Sequence, residues 1–221
     1  MKAVVIGATG ATGRDLVEKL LEDDAFQTVD IFVRRSVDWI HPKLRVHVID
    51  FSQPESWQSL VVGDVLFSCL GTTLKTAGSK AAQWKIDYDY QLDFAKVAAA
   101  NHVPDYVLVS SIGASAGAKV FYSRMKGMLD DAVQTLPFRR VFIFRPPSLI
   151  RKGSTRWVEK VSVKLLKVLN AFGLMKSYRP LETEKLAQAM IDAVKSDRAG
   201  IQVISSDGIQ AMAGSSVERN P

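Results

Sequence analysis

The fold of this chain is decided by its first thirteen residues, which read MKAVVIGATGATG. The apolar run from Ala3 to Ile6 predicts a short buried β-strand, and a helix is expected to begin at Arg14. Between the two lie three glycines: Gly7, Gly10 and Gly13. A loop of this kind lets the backbone approach a pyrophosphate closely, and it directs the free N–H groups of the helix at the phosphate charge. Strand, glycines and helix in this order therefore predict a nucleotide-binding site.

Length and composition restrict the class of protein. The chain has 221 residues, enough for one full α/β domain, and its 47% hydrophobic and 24% charged residues are typical of a soluble globular protein. Its single cysteine, Cys69, excludes an internal disulfide and fits a reducing compartment. We expect neither a secretory signal nor a membrane span, because no long apolar run occurs. These features predict a cytoplasmic enzyme or binding protein.

The net charge of +6 raises the question of nucleic-acid binding. The basic residues, however, are spread from Lys2 to Arg219, without a dense run and without a zinc-finger or RNA-binding signature. A modest positive field suits an anionic dinucleotide equally well. We therefore expect no nucleic-acid partner.

Apolar runs of strand length alternate with helical patterns along the first two thirds of the chain. The predicted strands cover residues 3–6, 29–33, 46–49, 65–70, 107–109 and 141–144. The predicted helices cover residues 14–21, 56–61, 88–100 and 123–134. Alternation of this kind implies a parallel sheet with right-handed crossovers, and strands that are apolar throughout imply helices on both faces. The prediction is an α/β fold with a Rossmann-type doubly wound parallel sheet.

The sequence changes character after Arg145-Pro146-Pro147. We assign residues 1–150 to a nucleotide-binding Rossmann core, 151–205 to a small substrate-side segment with a returning helix and strand, and 206–221 to a tail that is expected to fray from Gly208 onward, all within a single compact domain. A basic helix is predicted at 155–172. Its apolar side would cap the cleft or another subunit, and the alternative is contact with an anionic membrane surface.

The cofactor is predicted from the end of the second strand. In dinucleotide-binding folds an acidic residue about twenty positions past the last glycine accepts the ribose hydroxyls. The residues here are Val33-Arg34-Arg35-Ser36, without a carboxylate. Because the planar guanidinium matches phosphate oxygens, Arg34 and Arg35 favour a 2′-phosphate and hence NADP(H). The alternative is that both arginines belong to a solvated turn.

Two further strand ends are expected to contact the cofactor. Asp50 and Phe51 follow the third strand, where a side chain would meet the adenine edge, and residues 69–73 follow the fourth. Cys69 is alternatively a small buried filler. The contacts expected from these patterns are Gly7, Thr9, Gly10, Ala11, Thr12, Gly13, Arg34, Arg35, Asp50, Phe51, Cys69, Leu70, Gly71 and Thr72.

A tyrosine and a lysine four residues apart indicate the chemistry. Tyr122 and Lys126 open a predicted helix, so both side chains lie on one face. A nearby ammonium would lower the pKa of Tyr122, which could then exchange a proton with a carbonyl or alcohol while a nicotinamide exchanges hydride. Ser110 and Ser111 end the preceding strand, where a hydroxyl could hold the substrate oxygen. An ordinary solvent-facing pair is the alternative.

Taken together, these motifs resemble the short-chain dehydrogenase/reductase superfamily, and the glycine spacing is similar to that of its atypical and extended members. Further motifs resemble the Tat-interacting-protein oxidoreductase-like branch, which is NAD(P)H-binding and NmrA-like. They lie at residues 69–73, 87–90, 110–114, 122–127 and 144–146. The resemblance runs from residue 1 to about 152, and more loosely to about 205.

The resemblance implies roles for individual residues. Tyr122 would be the general acid/base, and Lys126 would tune it and hydrogen-bond the nicotinamide ribose of NADP(H). The family serine maps to Ser111, with Ser110 as a close rival, and Pro146 would lie near the nicotinamide. One position departs from the pattern, because Asp87 stands where extended members often have asparagine. An ionised carboxylate offers no donor, so Asp87 is left out of the catalytic set.

The functional prediction is an NADP(H)-dependent oxidoreductase that acts on a small carbonyl or alcohol through Ser111, Tyr122 and Lys126. The alternative is a non-catalytic NADP(H)-binding redox sensor that acts through a protein partner. No metal site is expected, because the three histidines lack ligand spacing. The acidic pair Asp130-Asp131 is interpreted as solvated charge. The sequence leaves the substrate, the reaction direction and any oligomerisation open.

Overall fold

The computed structural model describes residues 1–150 and 180–217, with side chains up to residue 212. Nine strands lie in these ranges: β1 Lys2–Ile6, β2 Thr28–Val33, β3 Leu44–Val48, β4 Val65–Ser68, β5 Asp105–Val109, β6 Arg140–Phe144, β7 Leu149–Ile150, β8 Leu181–Glu182 and β9 Gly200–Ile204. Seven of them form one parallel sheet in the order β3-β2-β1-β4-β5-β6-β9, while β7 and β8 form a separate parallel pair. This architecture confirms the predicted Rossmann-type doubly wound fold.

Helices cover both faces of the sheet. Within the described ranges they are α1 Ala11–Glu22, α2 Leu74–Ala77, α3 Lys80–Trp84, α4 Tyr90–Ala100, α5 Phe121–Gln134, α6 Thr183–Lys195 and α7 Ser206–Val217. A π-helical turn, Lys85–Asp89, joins α3 to α4, and two 3₁₀ turns lie at Pro54–Ser56 and Gln58–Leu60.

Two hydrophobic cores follow from the alternation of side chains along each strand. On one face, Leu16 and Leu20 of α1 pack with α6 against the sheet. On the other face, Phe94 of α4 and Leu129 of α5 pack against it. Since both faces are buried, the central strands must be apolar throughout, which is the pattern that the sequence shows.

Three local predictions differ from the structure. The first helix begins at Ala11 rather than Arg14, because Gly10 takes the extended conformation of an N-cap and Thr12 and Gly13 form the first turn. The helix predicted at 56–61 is two 3₁₀ turns, since Trp57 leaves the helical region between them. The tail expected to fray from Gly208 is helical as far as Val217.

Several predictions lie outside what the structure describes. The basic helix at 155–172 falls in residues whose structure is not described, and the segment boundaries at 150 and 205 stay predictions. None of the helices in residues 1–150 and 180–217 combines the length and apolar character of a bilayer-crossing segment. In the same part of the chain, no three His, Cys, Asp or Glu side chains gather in a way that could hold a metal ion.

Candidate functional site

The glycine loop is packed too tightly to accept side chains at two of its positions. Gly7 has a φ of +80°, and a Cβ there would collide with the backbone of Cys69 and Leu70 at the end of β4. A Cβ on Gly13 would collide with the carbonyl of Gly7. The loop therefore brings β1, β4 and the start of α1 into direct backbone contact at one edge of the sheet.

The first turn of α1 is built to receive an anion. Gly10 occupies the N-cap without a side chain to bond the free N–H groups, and the first turn contains no acidic residue. Backbone hydrogen bonds fix the loop, from Gly10 N to Gly7 O at 3.0 Å and from Arg14 N to Gly10 O at 2.9 Å. Free N–H groups and the positive end of the helix dipole together fit a phosphate.

A cleft of about 210 Å³ opens between this loop and the ends of β2 and β4. Nine of the predicted cofactor contacts line it: Gly7, Thr9, Gly10, Arg34, Phe51, Cys69, Leu70, Gly71 and Thr72. The cleft lies where the strand order reverses between β1 and β4, which is the usual ligand site of an open α/β sheet. No aspartate or glutamate is among its lining residues, so the donor set fits an anionic dinucleotide.

The remaining predicted contacts are not in this lining. Ala11, Thr12 and Gly13 form the helix start beside it, whereas Arg35, Lys126 and Pro146 lie elsewhere. The carboxylate of Asp50 is held within its own turn by the backbone N–H of Ser52 at 2.8 Å and its hydroxyl at 2.6 Å, and these bonds lower its pKa. The structure therefore does not bring Asp50 to the cleft.

Aromatic and aliphatic side chains of the π-helical turn and α4 complete the cleft, and sequence reasoning missed them. Ile86 and Tyr90 line it, and the ring of Tyr90 stacks on Phe51 with centroids 5.5 Å apart. The spacing of four between residues 86 and 90 was the available signal, because it places both on one helical face.

Ser111 and Tyr122 meet where β5 and α5 approach each other. Burial and the carboxylate of Asp87 raise the pKa of Tyr122 to about 12, and the nearby hydroxyl of Ser111 acts in the opposite direction. Tyr122 as a whole residue is 38% exposed, so it lies at a partly open surface.

Lys126 is buried below this surface. It is 2% exposed, and its Nζ donates a hydrogen bond to the carbonyl of Val109 at 3.1 Å. Burial lowers its pKa, whereas Asp87, Asp130 and Cys69 act in the opposite direction. The pKa of Tyr122 is therefore raised rather than lowered, contrary to the prediction, and the Lys126 ammonium donates its hydrogen bond to the Val109 carbonyl.

Asp87, the departure from the family pattern, is fully integrated into the site. It is 1% exposed, and its carboxylate accepts hydrogen bonds from the Thr72 backbone N–H at 2.7 Å and the Gln83 side chain at 3.3 Å. Its own carbonyl, in the π-helical turn, accepts the amide of Gln91 at 2.7 Å. Burial raises the pKa of Asp87, and Lys126 counteracts this. The carboxylate thus links the cleft loop at Thr72 to the neighbourhood of Lys126.

Asp130 corrects a further interpretation. It was expected to be solvated, but it is 0% exposed, and Arg145 binds its Oδ2 through Nε at 3.0 Å. The signal that could have found it is its spacing of four from Lys126, which puts both on one face of α5.

The parallel sheet and the glycine loop at its switch point define a Rossmann-type fold with a dinucleotide-binding cleft. Residues 7–137 match the family model described as NAD(P)H-binding, and the chain belongs to that family. The resemblance found in the sequence is confirmed at this level.

The similarity to curated relatives covers between two thirds of this chain and nearly all of it. It is 32% identical over 220 residues to "Protein FMP52, mitochondrial" of Eremothecium gossypii, and this alignment covers 96% of this chain and 97% of that protein. It is 36% identical over 151 residues to the protein of the same name in Candida glabrata, across 67% of this chain and 64% of that protein. Among solved structures, a short-chain dehydrogenase/reductase superfamily protein from Agrobacterium tumefaciens with bound NAD has a TM-score of 0.71 at 12% identity, over 97% of this chain and 81% of that one.

These relatives overturn the predicted location. Proteins 29% to 36% identical to this chain are named as mitochondrial, so the cytoplasmic prediction is wrong. The prediction rested on the single cysteine, Cys69, together with the lack of a recognisable secretory signal or membrane span. A lone thiol shows only that the fold needs no internal disulfide, and it does not identify an organelle.

Proposed function

We propose that the protein is an NADP(H)-dependent oxidoreductase acting on a small carbonyl or alcohol. The observation that carries the proposal is the placement of Ser111, which follows β5, near Tyr122 at the partly open start of α5, with Lys126 buried one helical turn below. This group lies at the same edge of the sheet as the glycine loop, because β1 and β5 are parallel strands of one sheet.

Each side chain has a role that its surroundings support. Ser111 would hold the substrate oxygen, and Tyr122 Oη would transfer a proton to it. A pKa of about 12 keeps Tyr122 protonated at neutral pH, which favours the direction in which a carbonyl is reduced. Lys126 and Pro146 would contact the nicotinamide half of the cofactor. When bound, the dinucleotide supplies the hydride.

The test of this mechanism is the variant Tyr122→Phe, measured as NADPH oxidation across a panel of small aldehydes and ketones. We expect turnover to be lost, with NADPH affinity close to that of the wild type, because the change removes only the proton donor. Tyr88→Phe removes a hydroxyl from a half-buried tyrosine outside the proposed group and serves as the matched control. Wild-type turnover in Tyr122→Phe would refute the mechanism.

The preference for NADP(H) over NAD(H) is proposed from Arg34 and Arg35. Both follow β2 directly and are exposed, and Arg34 lines the cleft. Loss of a charge-assisted hydrogen bond of about 1.5–3 kcal/mol should weaken NADPH binding roughly tenfold or more in Arg34→Ala while NADH binding stays unchanged. Arg45→Ala, an exposed arginine on β3, is the control. Equal loss for both cofactors would contradict the assignment.

A second function is favoured by one specific observation. The Nζ of Lys126 donates a 3.1 Å hydrogen bond to the carbonyl of Val109, and among the described residues no hydrogen bond joins it to Tyr122. This supports a non-catalytic NADP(H) sensor that acts through a protein partner. The two functions are separated by the carbonyl panel: tight NADPH binding, no turnover with any substrate, and NADPH-dependent capture of a defined partner would favour the sensor.

We also propose a mitochondrial location, supported by relatives that are named as mitochondrial proteins. Subcellular fractionation of cells expressing the full chain tests it, with the protein expected in the mitochondrial fraction. Recovery in the cytosol alone would contradict it.

A further inference from the structure

A buried ion pair joins the helix that carries Tyr122 and Lys126 to the end of strand β6. Asp130 of α5 is completely buried, and its Oδ2 lies 3.0 Å from Nε and 2.9 Å from a second guanidinium nitrogen of Arg145. Both contacts involve charged partners, so they are stronger and more directional than neutral hydrogen bonds.

Asp130 continues a stripe of functional groups along α5. Tyr122, Lys126 and Asp130 are spaced four residues apart and therefore share one helical face. Three titratable groups surround the ammonium of Lys126: Asp130 from its own helix, Asp87 from the π-helical turn, and Cys69 from the end of β4. Among these three groups, Asp130 forms an ion pair with Arg145.

The segment that carries Arg145 also fixes the turn that carries Ser111. Backbone hydrogen bonds run from Ser110 N to Phe144 O at 2.8 Å and from Ile112 N to Pro146 O at 2.9 Å, one on each side of Ser111. Arg145 is anchored in turn, because its backbone N–H bonds the carbonyl of Ile204 in β9 at 2.9 Å. The position of Ser111 is therefore coupled to the position of Arg145.

We propose that Asp130 and Arg145 are positioning residues that set the relative placement of Ser111, Tyr122 and Lys126. Their ion pair fastens the helix bearing Tyr122 and Lys126 to the strand end that brackets Ser111. The catalytic roles of Ser111, Tyr122 and Lys126 rest on the proposed function, but the ion pair between Asp130 and Arg145 does not depend on it. Asp130 also places a fixed negative charge near the Lys126 ammonium, where it favours the charged form.

An asparagine at position 130 removes the charge with little change of shape. Asp130 Oδ1 and Ser110 Oγ are buried, and neither completes a hydrogen bond with the described residues. Burial raises the pKa of Asp130, whereas Ser110 and Arg145 act in the opposite direction. An asparagine can place its amide nitrogen at the Oδ1 position and keep an oxygen for Arg145. Asp130→Asn therefore isolates the effect of charge and of bond strength.

The fold supplies a matched control at the opposite end of β5. Asp105 is 3% exposed and is bound by two arginines: Arg140 Nε lies 3.0 Å from its Oδ1, and Arg139 Nη2 lies 3.2 Å from the same oxygen. This cluster also joins a buried aspartate to arginine, but it lies at the start of β5, whereas Ser110 and Ser111 follow its end. Asp105→Asn should reduce stability without affecting Lys126.

The experiment titrates the Lys126 side chain by NMR in the free protein with isotopically labelled lysine, and measures NADPH affinity in parallel. We expect Asp130→Asn to lower the pH at which Lys126 loses its proton, because a neighbouring negative charge is removed. NADPH binding should weaken roughly tenfold, as expected for a misplaced charge-assisted contact. Asp105→Asn should lower the melting temperature and leave both readouts unchanged.

A second pair of variants covers the case in which Asp130→Asn does not fold. Arg145 is 31% exposed and tolerates substitution better. Arg145→Met should weaken NADPH binding, and Arg145→Lys, which keeps the charge, should restore most of it. The proposal is overturned if the Asp130 or Arg145 variants lose stability as Asp105→Asn does, with the Lys126 titration and NADPH affinity unchanged. Neither the Lys126 titration nor the NADPH affinity requires turnover. An inactive enzyme or an active Tyr122→Phe variant would therefore refute the proposed function, while the positioning role of Asp130 and Arg145 would still be tested by these two measurements.

Discussion

Replacing Gly7 by alanine tests whether the close approach of β1 and β4 matters to the cofactor cleft. Two costs add. An alanine at a φ of +80° costs about 1–2 kcal/mol, and forcing a methyl group against the backbone of Cys69 and Leu70 costs about 1–3 kcal/mol more. We expect Gly7→Ala to lower the free energy of unfolding by about 2–5 kcal/mol, a large part of the 5–15 kcal/mol typical of a domain.

Gly78 separates the two costs. Its φ is +83°, nearly that of Gly7, but a Cβ there would have no heavy atom within 4 Å. Gly78→Ala should therefore show only the conformational cost of about 1–2 kcal/mol and should bind NADPH as the wild type does. Gly7→Ala should additionally bind NADPH more weakly, because the loop must move away from the β4 end.

The assays are urea unfolding, analysed for the free energy of unfolding, and NADPH binding followed by nucleotide fluorescence. The informative quantity is the difference between the two variants. If Gly7→Ala and Gly78→Ala lose equal stability and both bind NADPH normally, the close backbone approach has no part in shaping the cleft.

Three further predictions concern the core, a buried polar pair and the thiol. Phe94→Ala, at a fully buried position, should lower the free energy of unfolding by about 3–5 kcal/mol in urea unfolding. Ser68→Ala leaves Gln91 without its buried 2.7 Å hydrogen bond and should cost about 1–3 kcal/mol in the same assay. Burial raises the pKa of Cys69 from 9.0 to about 12, so its stabilising contribution is present below pH 9 and is lost as the pH rises towards 12. Cys69→Ala should show a smaller loss of stability between pH 8 and pH 10. If the stability of Cys69→Ala declined between pH 8 and pH 10 as steeply as that of the wild type, the raised pKa of Cys69 would not be the cause of the decline.

The parts of the molecule that sequence predicted well are those governed by local rules. The glycine loop requires close backbone contact at Gly7 and Gly13, and only glycine permits this contact. The glycine pattern therefore predicts the loop conformation by itself. The strands were found because a parallel sheet buried on both faces forces continuous apolar runs. The order of strands then brings residues 7, 34 and 69 to one edge of the sheet.

The prediction failed where tertiary burial decides the behaviour of a charge. The spacing of four from Lys126 places Asp130, but not its exposed neighbour Asp131, on the face of α5 that Lys126 occupies; it could not show that Arg145, at the end of another strand, would bind Asp130. Spacing placed Tyr122 and Lys126 on one face, but it could not show that the ammonium would bond Val109. Helix periodicity likewise gave no sign of the widened turn before Tyr90.

That widened turn, Lys85–Asp89, determines which side chains of α4 face the cleft and the core. A π-helical turn holds one residue more than the α-helical turn it replaces, so it behaves as a single-residue insertion accommodated within a helix. Each residue advances an α-helix by about 100°, so the same extra residue forced into a regular α-helical turn would rotate the following helix by that amount. Tyr90 would then leave the cleft and Phe94 would leave the core together. The wide turn keeps both side chains in place, and homologous chains that lack the extra residue should have a regular α-helical turn at this point.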